Sequence, residues 1–181
     1  MCLSNLSISP LDPATYQGRR FQAVYTTEGY FEIAPAETGF SMVRRDFPQP
    51  EVRRFSDSFF GDWLEAPAAY GAFCEDALVG FVEGSPERWN NRYRISNLCV
   101  FSQQFRRVGL GGRLMQRILQ DAAASGARMA VLETQTCNLP AIFFYQRQGF
   151  SVIGFDLYAY SNEDPAKHAV RIEMGLPLSG G

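Results

Sequence analysis

Between Phe105 and Arg113 the chain reads Arg106-Arg107-Val108-Gly109-Leu110-Gly111-Gly112. Glycines so placed let the backbone turn tightly, so that successive N–H groups converge on one point. A helix starting there adds partial positive charge, and the two together make a cradle for a phosphate or pyrophosphate. The run is not a Walker loop, because no Gly-Lys-Ser/Thr follows. It is not a dinucleotide fingerprint either, because the spacing is GxGG and no βαβ unit with an acidic end accompanies it. Taken alone it reads equally as an ordinary Gly-rich turn, and its meaning depends on what surrounds it.

About thirty residues later comes Leu132-Glu133-Thr134-Gln135-Thr136-Cys137-Asn138-Leu139-Pro140-Ala141-Ile142-Phe143-Phe144-Tyr145, followed by Gln148-Gly149-Phe150. Asn138 and Tyr145 are two helical turns apart. With Asn138 at a helix start, both face one side at a separation of about 10 Å, which suits a long, narrow ligand.

The elements that must hold these groups follow from periodicity. Arg92–Val100 alternates Tyr93, Ile95, Asn97 against Arg94, Ser96, Leu98 and reads as a strand. Leu110, Leu114, Met115, Ile118, Leu119 and Ala122 form a helical apolar stripe ended by Gly126, a residue suited to a left-handed C-cap. Met129–Gln135 is a strand. Pro140 and Gly149 bracket a short aromatic helix, and Phe150–Tyr160 and Val170–Leu176 read as closing strands. The clearest hairpin joins Ala69–Cys74 to Ala77–Glu83 across Glu75-Asp76, with a turn expected at Gly84–Pro86. Earlier, Tyr30–Ile33 and Phe40–Phe47 read as short strands, the second closed by Pro48 and Pro50, and Ser56–Leu64 reads as a short helix. Residues 1–21, broken by Pro10 and Pro13, read as a lead-in loop, and Ser179-Gly180-Gly181 as a flexible tail.

Length and composition set the class. With 181 residues, 46% hydrophobic, 20% charged and 15 Phe, the chain is a folded, globular one, expected as a single domain over 1–181. Seventeen basic and nineteen acidic side chains leave a net charge of −2, which argues against nucleic acid as partner. No apolar stretch reaches the roughly 18 residues of a membrane span and no secretory signal is seen, so the expected location is the cytoplasm. Cys2, Cys74, Cys99 and Cys137 fit neither a metal knuckle nor a CxxC pair and read as reduced structural thiols; no metal is expected. All basic residues but Lys167 are Arg, which reads most simply as genomic base composition. His168, the one histidine, reads as a solvated surface residue.

The loop and the Asn-x6-Tyr helix together resemble the GNAT superfamily of N-acetyltransferases. There, an Arg/Gln-x-x-Gly-x-Gly/Ala loop holds the pyrophosphate of acetyl-coenzyme A, and the helix flanks pantetheine and thioester. The resemblance implies an α/β (α+β) fold: a mixed, mostly antiparallel sheet of about six to seven strands flanked by helices, splayed between the strands ending at Val100 and Gln135. It implies the backbone of Leu98, Cys99 and Val100 against the pantetheine arm and Arg106, Arg107, Val108, Gly109, Leu110, Gly111 and Gly112 around the pyrophosphate. Asn138 and Ala141 would lie beside the cofactor, with Tyr145 as general acid. Glu133 matches the position of a general base in some protein-N-terminus acetyltransferases; the other reading is a strand-end carboxylate in a hydrogen-bond network. Such chemistry fits an amine acceptor, since an ammonium with a pKa near 10 is only about one part in a thousand neutral at pH 7 and needs a proton acceptor. A backbone N–H near Val100 would steady the oxyanion. A covalent route through Cys99 or Cys137 lacks a signalled partner, so direct attack on the thioester is expected.

A closer resemblance, over roughly residues 24 to 177, is to the streptothricin acetyltransferases. It rests on Val24-Tyr25-Thr26-Thr27-Glu28, Phe40-Ser41-Met42-Val43-Arg44, Trp89-Asn90-Asn91-Arg92-Tyr93, Leu132-Glu133-Thr134-Gln135 and Gly154-Phe155-Asp156. It implies acetylation of the β-lysine amine of such antibiotics, conferring resistance, with Trp89, Asn90, Glu133 and Asp156 toward the substrate; for Trp89 a packing role is the other reading. Where that family carries an acidic pair this chain has Ser96-Asn97, and the Val100–Arg106 loop is one residue longer. Glu28, Glu32, Asp156 and Glu133 are the carboxylates that would compensate. The expected acceptor is a small-molecule amine, with a protein N-terminus or polyamine second. A non-catalytic coenzyme A-binding regulator is the rival from another class, and a homodimer is a further partner expectation.

Overall fold

The computed structural model describes residues 6–178. Cys2 and the 179–181 tail expected from the sequence lie outside these residues. The fold is mixed α/β with a seven-stranded, mostly antiparallel sheet and few helices. The described residues divide into two compact units, one of 6–23, 55–131 and 177–178, the other of 24–54 and 132–176.

The first unit holds β1 (Leu6–Pro10), α1 (Pro13–Tyr16), β4 (Ala68–Cys74), β5 (Ala77–Glu87), β6 (Arg92–Val100) and α2 (Leu110–Ala124). Its strands run β1-β4-β5-β6, each pair antiparallel. Leu114 and Ile118 of α2 lie against one face of β5, where Gly80 and Gly84 leave room for them: a Cβ at either glycine would come within 3.5 Å of those side chains. The other face carries Leu11, Phe21, Phe59, Phe60, Ala69, Phe81 and Cys99, with the Phe59 and Phe81 rings 4.4 Å apart. Burying a Phe of this kind contributes about 2 to 3 kcal/mol, so this aromatic cluster stabilises one face of the sheet as α2 does the other.

The second unit carries the middle of a two-stranded ribbon, β2 (Arg20–Ala36) with β3 (Gly39–Ser58), together with β8 (Ser151–Asp156), β9 (Arg171–Pro177) and α3 (Leu139–Arg147). Strand β7 (Met129–Gln135) begins in the first unit and ends in the second; β9 follows it in strand order, and β8 pairs antiparallel with β9.

Arg92–Val100, the α2 stripe and Met129–Gln135 form as their periodicity indicates, and β6 buries Tyr93, Ile95, Asn97 and Cys99 in strict alternation. Gly126 and Gly149 take positive φ of 73° and 93°, closing α2 and α3.

Elsewhere the structure corrects the sequence reading. Residues 1–21 are not simply a loop. Leu6–Pro10 pairs with β4, its proline harmless at the end of an edge strand, and Pro13 opens α1 behind an Asp12 cap instead of breaking a helix. The two short strands at Tyr30–Ile33 and Phe40–Phe47 are parts of one long ribbon that runs through Pro48 and Pro50. In a two-stranded ribbon alternate N–H groups face away from the partner, and two prolines two residues apart share one edge. Ser56–Leu64 is not helical: β3 continues to Ser58, Phe59 N–H bonds the Arg19 carbonyl, and Phe60 takes a φ of 52°. Gly84–Pro86 is not a turn but the part of β5 beyond a bulge, with the turn moved to residues 88–91. The strand expected over Phe150–Tyr160 stops at Asp156, whose carboxylate accepts from the Tyr158 N–H and starts a turn.

Candidate active site

In the first unit, a 3-10 turn, Gln103–Phe105, tucks Phe105 into the interior, and Arg106 Nε donates to the Val100 carbonyl at 3.0 Å. These contacts tie the glycine loop back to the end of β6. Arg107 and Gly109 then take positive φ of 63° and 84°, and α2 starts at Leu110 with Gly109 as a cap that offers no side-chain acceptor. Arg113 N–H is the first to close on the Gly109 carbonyl, at 3.1 Å. The N–H groups of Leu110, Gly111 and Gly112 precede it and have no acceptor within the helix. No acidic residue stands in that first turn, and a Cβ at Gly109 would meet nothing within 4 Å. Open space, uncapped donors and neighbouring guanidinium groups fit a pyrophosphate.

On β6, Leu98 and Val100 are half-buried, while the Cys99 side chain is buried in the aromatic cluster. Burial pushes the Cys99 thiol up to about 12, so it stays a neutral thiol at pH 7. Cys137 is also buried, 3.6 Å from the Tyr25 hydroxyl. Cys99 therefore presents no thiolate for a covalent route.

One group of this unit was not singled out from the sequence. Glu83 on β5 is 0% exposed and sits directly across from Asn97. Its carboxylate accepts from Phe60 N–H at 2.6 Å, Ser96 Oγ at 2.8 Å and Asn97 Nδ2 at 3.5 Å, and the same amide nitrogen reaches Asp57 Oδ2 at 3.2 Å. Desolvation holds the Glu83 carboxyl above the usual carboxylate range, its three donors pull it back, and Asp57 adds to the rise. The available signal was a lone acid in the otherwise apolar run Leu78-Val79-Gly80-Phe81-Val82-Glu83. Asp57 carried no such signal.

Trp89 and Asn90 stand in the β5–β6 turn, at the end of β6 away from the glycine loop. Trp89 is 84% exposed, so it does not pack, and the Arg92 guanidinium lies 6.0 Å from its ring. Asn90 accepts from Arg92 N–H and donates to Glu87, the carboxylate that also binds Arg92 and Arg94; Arg128 Nε donates to its carbonyl.

In the second unit Asn138 is the N-cap of α3, its Oδ1 accepting from Ala141 N–H at 3.3 Å, with Pro140 in the first turn behind it. Tyr145 is buried two turns on, flanked by Phe144 and Phe150. Glu133, at the end of β7, lies in a hydrogen-bond network: Tyr160 Oη donates to it at 3.2 Å and Arg171 stands 3.6 Å away. Tyr160, 27 residues downstream with no sequence signal, has its phenol pushed up by burial and by Glu133. Asp156 is exposed and used by its own turn. His168 is half-buried, stacked 3.7 Å from the Tyr30 ring with Phe47 beside it, not the solvated residue expected. Glu32 is paired with Arg45, and Glu28 is exposed.

These arrangements meet independent likenesses. A model of the acetyltransferase (GNAT) family matches residues 36–150. The streptothricin acetyltransferase of Escherichia coli is 32% identical over 130 residues, covering 72% of each chain. Among solved structures, nourseothricin acetyltransferase superposes with a TM-score of 0.76 at 25% identity, over 96% of this chain and 99% of that one. A putative streptothricin acetyltransferase from Bacillus anthracis, solved in complex with acetyl coenzyme A, has the same fold, with a TM-score of 0.73 at 21% identity over 96% and 98%. The GNAT match spans well over half the chain, acetyl-coenzyme A is the family's acetyl donor, and this protein therefore belongs to the GNAT family of acetyltransferases.

Proposed function

We propose that the chain moves the acetyl group of acetyl-coenzyme A to a primary amine of a small molecule of the streptothricin type, by direct attack of the amine on the thioester. The relationship to the E. coli streptothricin acetyltransferase, which spans most of both chains, carries this reading. In it, the backbone N–H groups from Arg107 to Gly112 bind the pyrophosphate, and the Leu98–Val100 backbone lies along the pantetheine with Val100 N–H toward the thioester oxygen. Asn138 and Ala141 order the start of α3 beside the same arm. Tyr145 gives a proton to the departing thiolate. Glu133, Asp156, Trp89 and Asn90 serve the acceptor. With Cys99 held as a thiol, no acetyl-enzyme is formed on it. The acetyl thioester supplies the electrophile, and the protein supplies position and protons.

Purified protein with acetyl-coenzyme A and a thiol-detecting reagent is expected to release coenzyme A on addition of streptothricin, and mass spectrometry to show one added acetyl group on the β-lysine moiety. Turnover of a simple polyamine or a peptide amine with streptothricin left unmodified sinks the antibiotic assignment. In the same assay Tyr145→Phe should lower kcat by about 100-fold or more with little change in acetyl-coenzyme A affinity, since only a hydroxyl is lost. An effect confined to KM would make Tyr145 a binding residue. If Asn138 acts by shaping α3, Asn138→Ala costs about 1 kcal/mol of stability through the lost cap, seen as a lower Tm.

A further inference from the structure

The proposed reaction requires the acceptor ammonium to lose a proton before attack, and Glu133 already has a guanidinium 3.6 Å from it. A cation there competes with an approaching ammonium. The first unit holds a carboxylate without that difficulty. Phe60 N–H, Ser96 Oγ and Asn97 Nδ2 all donate to Glu83, and each favours its anion against the cost of burial. Phe60 and Asn97 are buried; Ser96 is half-buried and is the member of the three that leads outward. Its placement follows from a bulge. Glu83 pairs with Asn97 and Gly84 with Ile95, leaving Ser96 as the extra residue on β6. The extra residue shifts the pairing register, and Ser96 and Asn97 in succession both reach the same carboxylate. Ser96 lies two residues from Leu98, about 7 Å along the strand that the proposed function sets against pantetheine.

We propose that Glu83 is the proton acceptor of the transfer, working through the Ser96 hydroxyl. This rests on the acetyl-transfer reading above and assigns the one step that reading leaves open. The acceptor ammonium gives a proton to Ser96 Oγ as the Ser96 hydroxyl hydrogen passes to Glu83 Oε1, and Glu83 becomes the neutral acid. The freed nitrogen lone pair forms the N–C bond to the acetyl carbon while the C–S bond breaks. The second nitrogen proton passes to solvent, and Tyr145, having protonated the thiolate, regains its proton from solvent. Glu83 then returns its proton to solvent through Ser96, so each turnover releases one proton overall. The groups around the carboxylate suit a proton that comes and goes. From β3, Asp57 opposes its ionisation; from β6, Cys99 is a neutral thiol with Arg106 beyond it; the loop after β3 contributes only the Phe60 amide.

The experiment is the pH dependence of kcat with streptothricin, beside calorimetry of acetyl-coenzyme A binding. Glu83→Gln keeps the shape and removes the base. It should lose about 100-fold or more in kcat at pH 7 and abolish the acidic limb, with the acetyl-coenzyme A Kd unchanged. Ser96→Ala should fall similarly, and Ser96→Thr, which keeps the hydroxyl, should recover most of the rate. The serine variants decide the matter even if Glu83→Gln folds poorly, because the Ser96 hydroxyl is only half-buried. Wild-type kcat and pH profile in Ser96→Ala overturn the relay, as does an acidic limb that vanishes in Glu133→Gln but survives in Glu83→Gln. A wild-type protein that acetylates no amine overturns the acetyl-transfer reading and the relay together, whereas turnover equal in wild type and both variants overturns the relay alone.

Discussion

Gly109→Asp is expected to abolish acetyl-coenzyme A binding in calorimetry, and Gly111→Asp to do the same. At position 109 the φ of 84° is one that side chains adopt at some cost, and the added carboxylate would stand at the uncapped start of α2, where the pyrophosphate is to sit. The space around Gly109 is open, so the loss would come from charge and not from a clash within the fold. Gly111 lies in the first turn, and a carboxylate there again meets the ligand's charge. Two like charges at about 4 Å cost about 4 kcal/mol near a protein surface, close to a thousandfold in affinity. Gly109→Ala separates the causes: a fall of less than tenfold would identify charge, while a loss equal to that of the Asp variant would identify backbone strain. Unchanged binding in both Asp variants would remove the cradle assignment.

Asn97→Asp, alone or with Ser96→Glu, is expected to destabilise the protein by about 3 kcal/mol or more at pH 7, although it recreates the acidic pair of the resembled family. Asn97 Nδ2 stands between Glu83 and Asp57, and the exchange would remove that donor and bury a second carboxylate directly across from Glu83. The direction with pH follows from the carboxyl groups. Glu83 is already held above its ordinary value, so the native state binds its proton more readily than the unfolded chain does. A second acid beside it would be raised further. Stability therefore falls as pH rises through the interval between unfolded and folded values, and the deficit of Asn97→Asp should shrink as pH is lowered toward 5. Thermal unfolding at pH 5 and pH 8 measures it. Equal Tm losses at both would mean that the added charge escapes to solvent. Restoring the acidic pair is thus a poor route to more activity here, because the new carboxylates would stand against Glu83 and Asp57.

The readable parts of this chain were those whose order repeats locally. The α2 stripe, the alternation of β6, the Glu75-Asp76 hairpin and the glycines closing α2 and α3 each need only a few consecutive residues to declare themselves. The ribbon β2–β3 was legible only in fragments, since prolines that would end a central strand are tolerated where one edge is free. Ser56–Leu64 has helix-compatible residues but is kept out of a helix by partners far away in sequence, Arg19 and Glu83, which bind the Phe59 and Phe60 amides.

The sequence by itself determined the class of protein: the glycine loop, its position between a strand and an amphipathic helix, and Asn138 with Tyr145 two turns apart are local patterns, and local patterns survive without coordinates. It also showed that Ser96-Asn97 lacks two acids. Only the tertiary structure decided what stands there instead. Glu83 and Asp57 reach those two residues from 13 and 40 positions away, Tyr160 reaches Glu133 across 27, and His168 finds Tyr30 across the ribbon. Strand pairing and a single-residue bulge bring such groups together, and neither register nor bulge is written in the residues they join. A side chain's chemistry depends on burial and on its neighbours' charges, which is why a glutamate that reads as one acid in an apolar run becomes the best-placed proton acceptor of the first unit.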